Sequence, residues 1–113
     1  MKDSDLNRIK RLKTYCEDIA KTINRFGKDF NSFSNDTDYQ NSISMSIMQI
    51  GELSNGLSDE FKENTRDKIQ WEPIRAMRNM FAHGYGSMDI EVIWETAIND
   101  IPVLLEFCSM IIP

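Results

Sequence analysis

The strongest constraint on the fold is the spacing of apolar residues over the first thirty positions. Ile9, Leu12, Cys16, Ile19, Ile23, Phe26 and Phe30 recur at intervals of three and four. On an α-helix that spacing makes one stripe; on a strand it would scatter over both faces. A helix from about Asp5 to Phe30 follows, apolar on one side only, so the rest of the chain must cover it. After a polar turn from Asn31 to Asp36, Thr37 and Gln40 stand three apart as a candidate capping box. They open a second helix with Ile43, Ile47, Ile50, Leu53 and Leu57 on its inner side and Gly56 at its end. Ser58 caps one short turn through Phe61, and residues 63–68 form a charged connection. Pro73, suited to a first helical turn, opens a third helix after Trp71, with Ile74, Met77 and Phe81 facing inward. Asp89 caps a fourth, whose apolar positions include Ile93, Trp94, Ala97, Ile101, Leu104, Leu105 and Cys108. Pro102 should bend that helix, because it removes a backbone donor and crowds the preceding turn. No segment alternates with period two for long enough to make a strand. The fold class is therefore all-α: an up-and-down bundle of four main helices with one extra short helix, in a single domain spanning residues 1–113.

Within that bundle several residues have structural roles. Trp71, Trp94 and the methionines at helical spacing are core filler. Gly51, inside the second helix, costs stability there, and a close helix crossing is the reason to keep it. Glu52 beside it is placed to pair with an arginine of the third helix. Composition, 41% hydrophobic and 27% charged, fits a soluble globular chain. Cys16 and Cys108, on opposite arms of the sequence, read as buried free thiols in a reducing cytoplasm. One histidine and two dispersed cysteines offer no transition-metal set, and no cofactor is expected. No apolar run is long enough to span a bilayer.

Charge excludes one class of function and leaves another open. A net charge of −5 does not suit a protein that coats nucleic acid indiscriminately. The distribution is uneven, however. Residues 1–30 hold eight Lys/Arg against five Asp/Glu, and residues 86–113 hold five acidic groups and no Lys/Arg. Arg66, Lys68, Arg75 and Arg78 gather before or within the third helix. A local basic cleft on an acidic body would serve for a few phosphates rather than a long tract.

Chemistry concentrates in the segment Arg78-Asn79-Met80-Phe81-Ala82-His83-Gly84-Tyr85. His83 is the only histidine, hence the only side chain whose unperturbed pKa lets it change charge near neutral pH. Gly84 is suited to the left-handed conformation that stops a helix. On an ideal helix Arg78 and His83 lie roughly 140° apart, so joint work needs the arginine to wrap or a second chain to complete the site. Asn79 and His83 share a face, and Arg75 continues that row. By spacing alone the segment also fits a helix C-terminus where His83 and Arg78 sit favourably against the macrodipole.

The order Ile50-Gly51-Glu52, Leu57-Ser58, Trp71, Ile74, Met77-Arg78-Asn79, His83-Gly84-Tyr85, Asp89, Val92-Ile93-Trp94 and Asp100-Ile101-Pro102 resembles the HepT-like ribonuclease toxins of the HEPN superfamily. These are small helical proteins paired with a MntA-type nucleotidyltransferase antitoxin. The likeness runs through most of the chain after residue 40 and includes an intact Arg-x-x-x-x-His-x-Tyr signature. It implies that Arg78 and His83 are the ribonuclease residues and that Tyr85 accepts AMP from the antitoxin. Asn79 matches the polar residue that follows the arginine and is assigned a supporting role, with Arg75 as a further phosphate contact.

Such an activity is chemically coherent for these residues. Metal-independent RNA cleavage needs a base for the 2′-hydroxyl proton, positive charge on the phosphorane and a proton for the leaving oxygen. His83 is the natural base, and the bidentate fork of Arg78 suits the charge. The acid is missing from a chain with one histidine, but a homodimer with both segments at its seam supplies a second imidazole. The expected partners are RNA, a second copy of the chain and a MntA-type antitoxin, with no metal and no membrane. Two other classes remain: a catalytically idle HEPN module that only binds a nucleotidyltransferase, and a plain helical adaptor.

Overall fold

In the computed structural model, residues 1–81 and 89–113 are described (for residues 80 and 81, the backbone). Their helices are α1 (Asp3–Phe26), α2 (Phe30–Ser34), α3 (Thr37–Asn55), α4 (Asp59–Thr65), α5 (Trp71–Ala76), α6 (Ile90–Glu95) and α7 (Ile101–Ile111). A 3₁₀ helix, Met77–Phe81, continues α5, and a π-helical turn, Thr96–Asp100, joins α6 to α7. The all-α expectation holds: among the described residues there is no strand. The four main helical segments are α1, α3, α5 with its 3₁₀ extension, and α6–α7. The third-helix expectation that Phe81 faces inward concerns a side chain outside the described set.

The expected first helix stops short of Phe30. Gly27 takes φ 114°, a left-handed value that only glycine adopts cheaply, and so ends α1. The chain turns, and the Asp29 carboxylate accepts the Ser32 N–H at 2.8 Å to cap α2. Residues 31–36 are thus not the simple polar turn their composition suggests. Among their polar side chains sits Phe33, fully buried against Tyr39 and Trp94. One aromatic anchor makes the helical turn worth forming.

The second helix also starts differently. Asp36, not Thr37, is its cap, accepting the Tyr39 N–H at 3.2 Å. Gln40 instead turns back to donate to the carbonyls of Phe33 and Ser34, tying α2 to α3. Ser58 caps α4 as expected, but the helix runs on to Thr65 and takes in the first part of the presumed charged connection. Thr65 Oγ1 there accepts the Trp71 indole N–H at 2.8 Å, so a core tryptophan has its polar end satisfied.

Pro102 stands at the start of α7, where the regular α-helix expected to bend is instead interrupted by a π-helical turn. It has no N–H, and its ring crowds the carbonyl four residues back. The preceding turn widens instead, and the Ile101 N–H reaches the Thr96 carbonyl, five residues back. Ile9, Leu12, Cys16 and Ile19 of α1, Ile43, Ile47 and Ile50 of α3, and Ile101, Leu104 and Cys108 of α7 form one buried core. Trp71 and Met77 are buried and Trp94 is half-buried, as core filler should be, whereas Met45 and Met110 are exposed. Cys16 and Cys108 are free and buried. Among the described residues no helix is long and apolar enough to cross a membrane.

Candidate functional site

The position of Arg78 is set by a glycine. A Cβ added to Gly51 of α3 would stand 2.5 Å from the Arg78 backbone nitrogen, 3.0 Å from its Cα and 3.1 Å from its Cβ. No real Cβ tolerates such contacts, so Gly51 exists to let the 3₁₀ segment lie directly on α3. The expected close helix crossing is therefore the crossing that carries Arg78. A 3₁₀ turn is tighter than an α turn, and here it brings the backbone of Arg78 onto the α3 surface.

The next residue of α3 then fixes the side chain. Arg78 Nε donates to Glu52 Oε1 at 3.1 Å. Both groups are substantially exposed, at 36% and 53%, so the pair contributes at most about 1 kcal/mol to stability. Its use is orientation. Glu52 engages the Nε edge of the guanidinium, and among the described residues no other carboxylate pairs with its terminal nitrogens.

The other members of the row divide. Asn79 is exposed beside Arg78. Arg75, one turn earlier, is held by Glu72 at 2.9 Å. That hydrogen bond and the arginine's charge keep the Glu72 carboxyl below its ordinary pKa. Arg75 is therefore partly committed before any ligand arrives. His83, Gly84 and Tyr85 lie outside the described residues; of the expected site the structure describes Arg75, Arg78 and Asn79, with Gly51 and Glu52, expected to be structural, beneath and beside Arg78. Among the described residues no cluster of three His, Cys, Asp or Glu side chains could hold a metal ion.

Glu52 also forms part of a second feature that the motif does not announce. Ser4, Asn7, Arg8 and Arg11 of α1 face Gln49, Glu52 and Leu53 of α3 across a polar groove of about 400 Å³. The signal was present in the sequence. Residues 4, 7, 8 and 11 share one helix face immediately beside the Ile9/Leu12 stripe. What was missing was knowledge of which helix lies opposite. Two anchors hold this end of α1. Buried Asp5 accepts the backbone N–H of Ser58 at 2.9 Å and its hydroxyl at 2.5 Å. Arg8 packs so closely over Gly56 that a Cβ there would meet its guanidinium.

A family model, ribonuclease HepT-like, matches residues 8–111, nearly the whole chain. The chain belongs to the HepT-like ribonuclease family. A protein of Thermococcus cleftensis designated a probable ribonuclease HepT is 33% identical over 97 residues, covering 81% of this chain and 87% of its own. A protein of Caldanaerobacter subterraneus with a provisional RNase designation is 32% identical over 89 residues, covering 79% and 77%. One from Methanocaldococcus jannaschii, also provisionally an RNase, is 26% identical over 96 residues, covering 80% and 87%. No solved structure matches the chain. The Gly51 crossing gives Arg78 a definite seat, and among the described residues Glu52 is its one ion-pair partner.

Proposed function

We propose that this HepT-like protein is a metal-independent endoribonuclease toxin, acting through Arg78 and His83 at the seam of a homodimer and silenced by AMP attached to Tyr85. The observation that carries the reading is the seat of Arg78. Its backbone is pinned on Gly51, its Nε is held by Glu52, and among the described residues its terminal nitrogens have no carboxylate partner. Such preorganisation is what stabilisation of a phosphorane requires, because the donors need not reorganise as charge develops.

In this mechanism His83 takes the proton from a ribose 2′-hydroxyl. The 2′-oxygen then attacks the adjacent phosphorus, and the bond from phosphorus to the 5′-oxygen breaks. Arg78 carries the charge of the phosphorane, and Asn79 donates a neutral hydrogen bond to phosphate or orients the imidazole. The leaving 5′-oxygen takes its proton from the imidazolium of the second protomer, and a 2′,3′-cyclic phosphate remains. Tyr85 regulates this chemistry. A nucleotidyltransferase antitoxin of MntA type would transfer AMP from ATP to the phenol oxygen and release pyrophosphate. The new anion beside Arg78 and His83 would then occupy the phosphate site. Arg75 contributes a further phosphate contact once it exchanges Glu72 for RNA. The buried thiols Cys16 and Cys108 agree with a reducing cytoplasm.

End-group analysis of the products tests the chemistry, and light scattering the assembly. Cyclic phosphate termini formed in excess EDTA by a dimer are the expected result. A requirement for divalent metal, or a monomer both with and without RNA, would overturn the composite histidine site.

A further inference from the structure

We propose that the groove between α1 and α3 is a second phosphate subsite, in which Arg8 and Arg11 hold the backbone of single-stranded RNA beyond the scissile phosphate. The inference rests on the ribonuclease reading and goes beyond it, because the signature contains none of these residues. Four observations carry it. Glu52 lines the groove and also holds Arg78, so the groove begins where the candidate site ends. All of its lining residues but Leu53 carry polar side chains, with Ser4, Asn7 and Gln49 able to donate to phosphate or sugar oxygens. Among the described residues neither Arg8 nor Arg11 has a carboxylate partner within 4 Å, although Arg66, Arg75 and Arg78 all do. Finally, two arginines concentrated on one face stand out on a chain of net charge −5.

The geometry of the two arginines differs in a useful way. Arg8 is half-buried, its guanidinium laid against Gly56 and its charge near Asp5, so it lies along the groove wall rather than out in solvent. Arg11 is exposed, one turn further along α1. A strand leaving Arg78 would meet Glu52 first, which repels phosphate, and then the two cations. That order favours a backbone that passes over Glu52 with a ribose or base rather than a phosphate. The preferred substrate is therefore a single strand several nucleotides longer than the cleaved step, not a duplex or a dinucleotide. Contacts of this kind follow the backbone and carry no base preference.

Salt dependence and substrate length provide the test. The protein carrying His83→Ala would be titrated with a fluorescent ten-nucleotide RNA at several salt concentrations, with and without Arg8→Gln and Arg11→Gln. Each arginine removed should weaken binding roughly 5-fold at low salt, the range of an exposed ion pair. It should also lower the slope of log affinity against log salt by about 0.7, the value for one phosphate contact on a single strand. In the His83-containing protein the same changes should raise KM for the ten-nucleotide strand far more than for a dinucleotide. Arg11→Lys should restore most of the loss, because a point charge suffices for backbone contact. Wild-type slopes and KM values in the folded Arg11→Gln protein would overturn the subsite while leaving the ribonuclease reading intact. Equal losses on the dinucleotide would also overturn it, since the arginines would then be acting on the cleaved step itself. Absence of any RNA cleavage by the unsubstituted protein would instead remove the ribonuclease reading, and failure of that protein to bind the ten-nucleotide strand would remove the subsite with it.

Discussion

Gly51→Ala is the most informative single change, because one methyl group tests the crossing on which the site stands. The new Cβ would lie 2.5 Å from the Arg78 nitrogen, against the roughly 3.5–4.0 Å at which carbon contacts are comfortable. Relief therefore requires the 3₁₀ segment to move by about 1 Å. The obstruction is backbone and cannot swing aside. Helix propensity favours alanine by about 1 kcal/mol at an α3 position. Overpacking of this kind costs about 1–3 kcal/mol. The two together predict a net loss of about 1 kcal/mol, enough to measure by urea denaturation and too little to unfold the protein. The effect on activity should be larger, since a displacement of about 1 Å in a positioning element commonly costs about 100-fold in rate. Gly56→Ala is the internal control. Its Cβ would also overlap, but with the guanidinium of Arg8, the end of a flexible side chain. It should cost little stability and spare cleavage of a dinucleotide. The reasoning would be refuted if Gly51→Ala were stabilised by the full propensity gain and cleaved RNA within a few-fold of wild type.

Three further outcomes follow from the geometry. Burial raises the pKa of Asp5, but the side-chain and backbone hydrogen bonds from Ser58, with the charges of Lys2 and Arg8, outweigh it and leave the carboxyl below its ordinary value. A depressed folded pKa contributes stability that is present above the unfolded value of about 3.9 and lost as pH falls through the folded one. The urea midpoint should thus decline less steeply on acidification in Asp5→Asn than in wild type, and identical slopes would contradict the Ser58 anchor. Burial raises the thiol of Cys16, helped by Cys108, and pushes Cys108 up to about 12. Neither should react with an aromatic disulfide reagent at pH 8 until denaturant is added, and fast labelling of the native protein would show the α1–α7 packing to be wrong. Tyr85→Phe should cleave RNA yet resist silencing by a nucleotidyltransferase partner with ATP, whereas silencing that persists in Tyr85→Phe would move the modification elsewhere.

The parts of the fold that were legible in the sequence are those governed by one strong local rule. Helical spacing identified the buried faces of α1 and α3, and the lone glycine inside α3 announced a crossing. The errors came where two local rules competed. Phe30 kept the period of α1, but Gly27 interrupts it with a positive φ. Thr37 and Gln40 fit a capping box, yet Asp36 stood one residue earlier and took the cap. Glu52 was correctly paired with an arginine of the third helix because adjacency to Gly51 forces the two together. The groove of Arg8 and Arg11 could not be found by any rule of spacing on α1 alone, since it exists only where α3 packs across from it.

The central claim is that Arg78 and His83 cleave RNA without a metal ion, and a single comparison tests it most directly. Wild type and His83→Ala, each purified without metal, would be given a fluorescent single-stranded RNA in excess EDTA, with circular dichroism confirming equal helix content. The account predicts steady cleavage by wild type and a loss on the order of 100- to 10,000-fold in His83→Ala, as expected when the sole general base is removed. Cleavage by His83→Ala at the wild-type rate would contradict it.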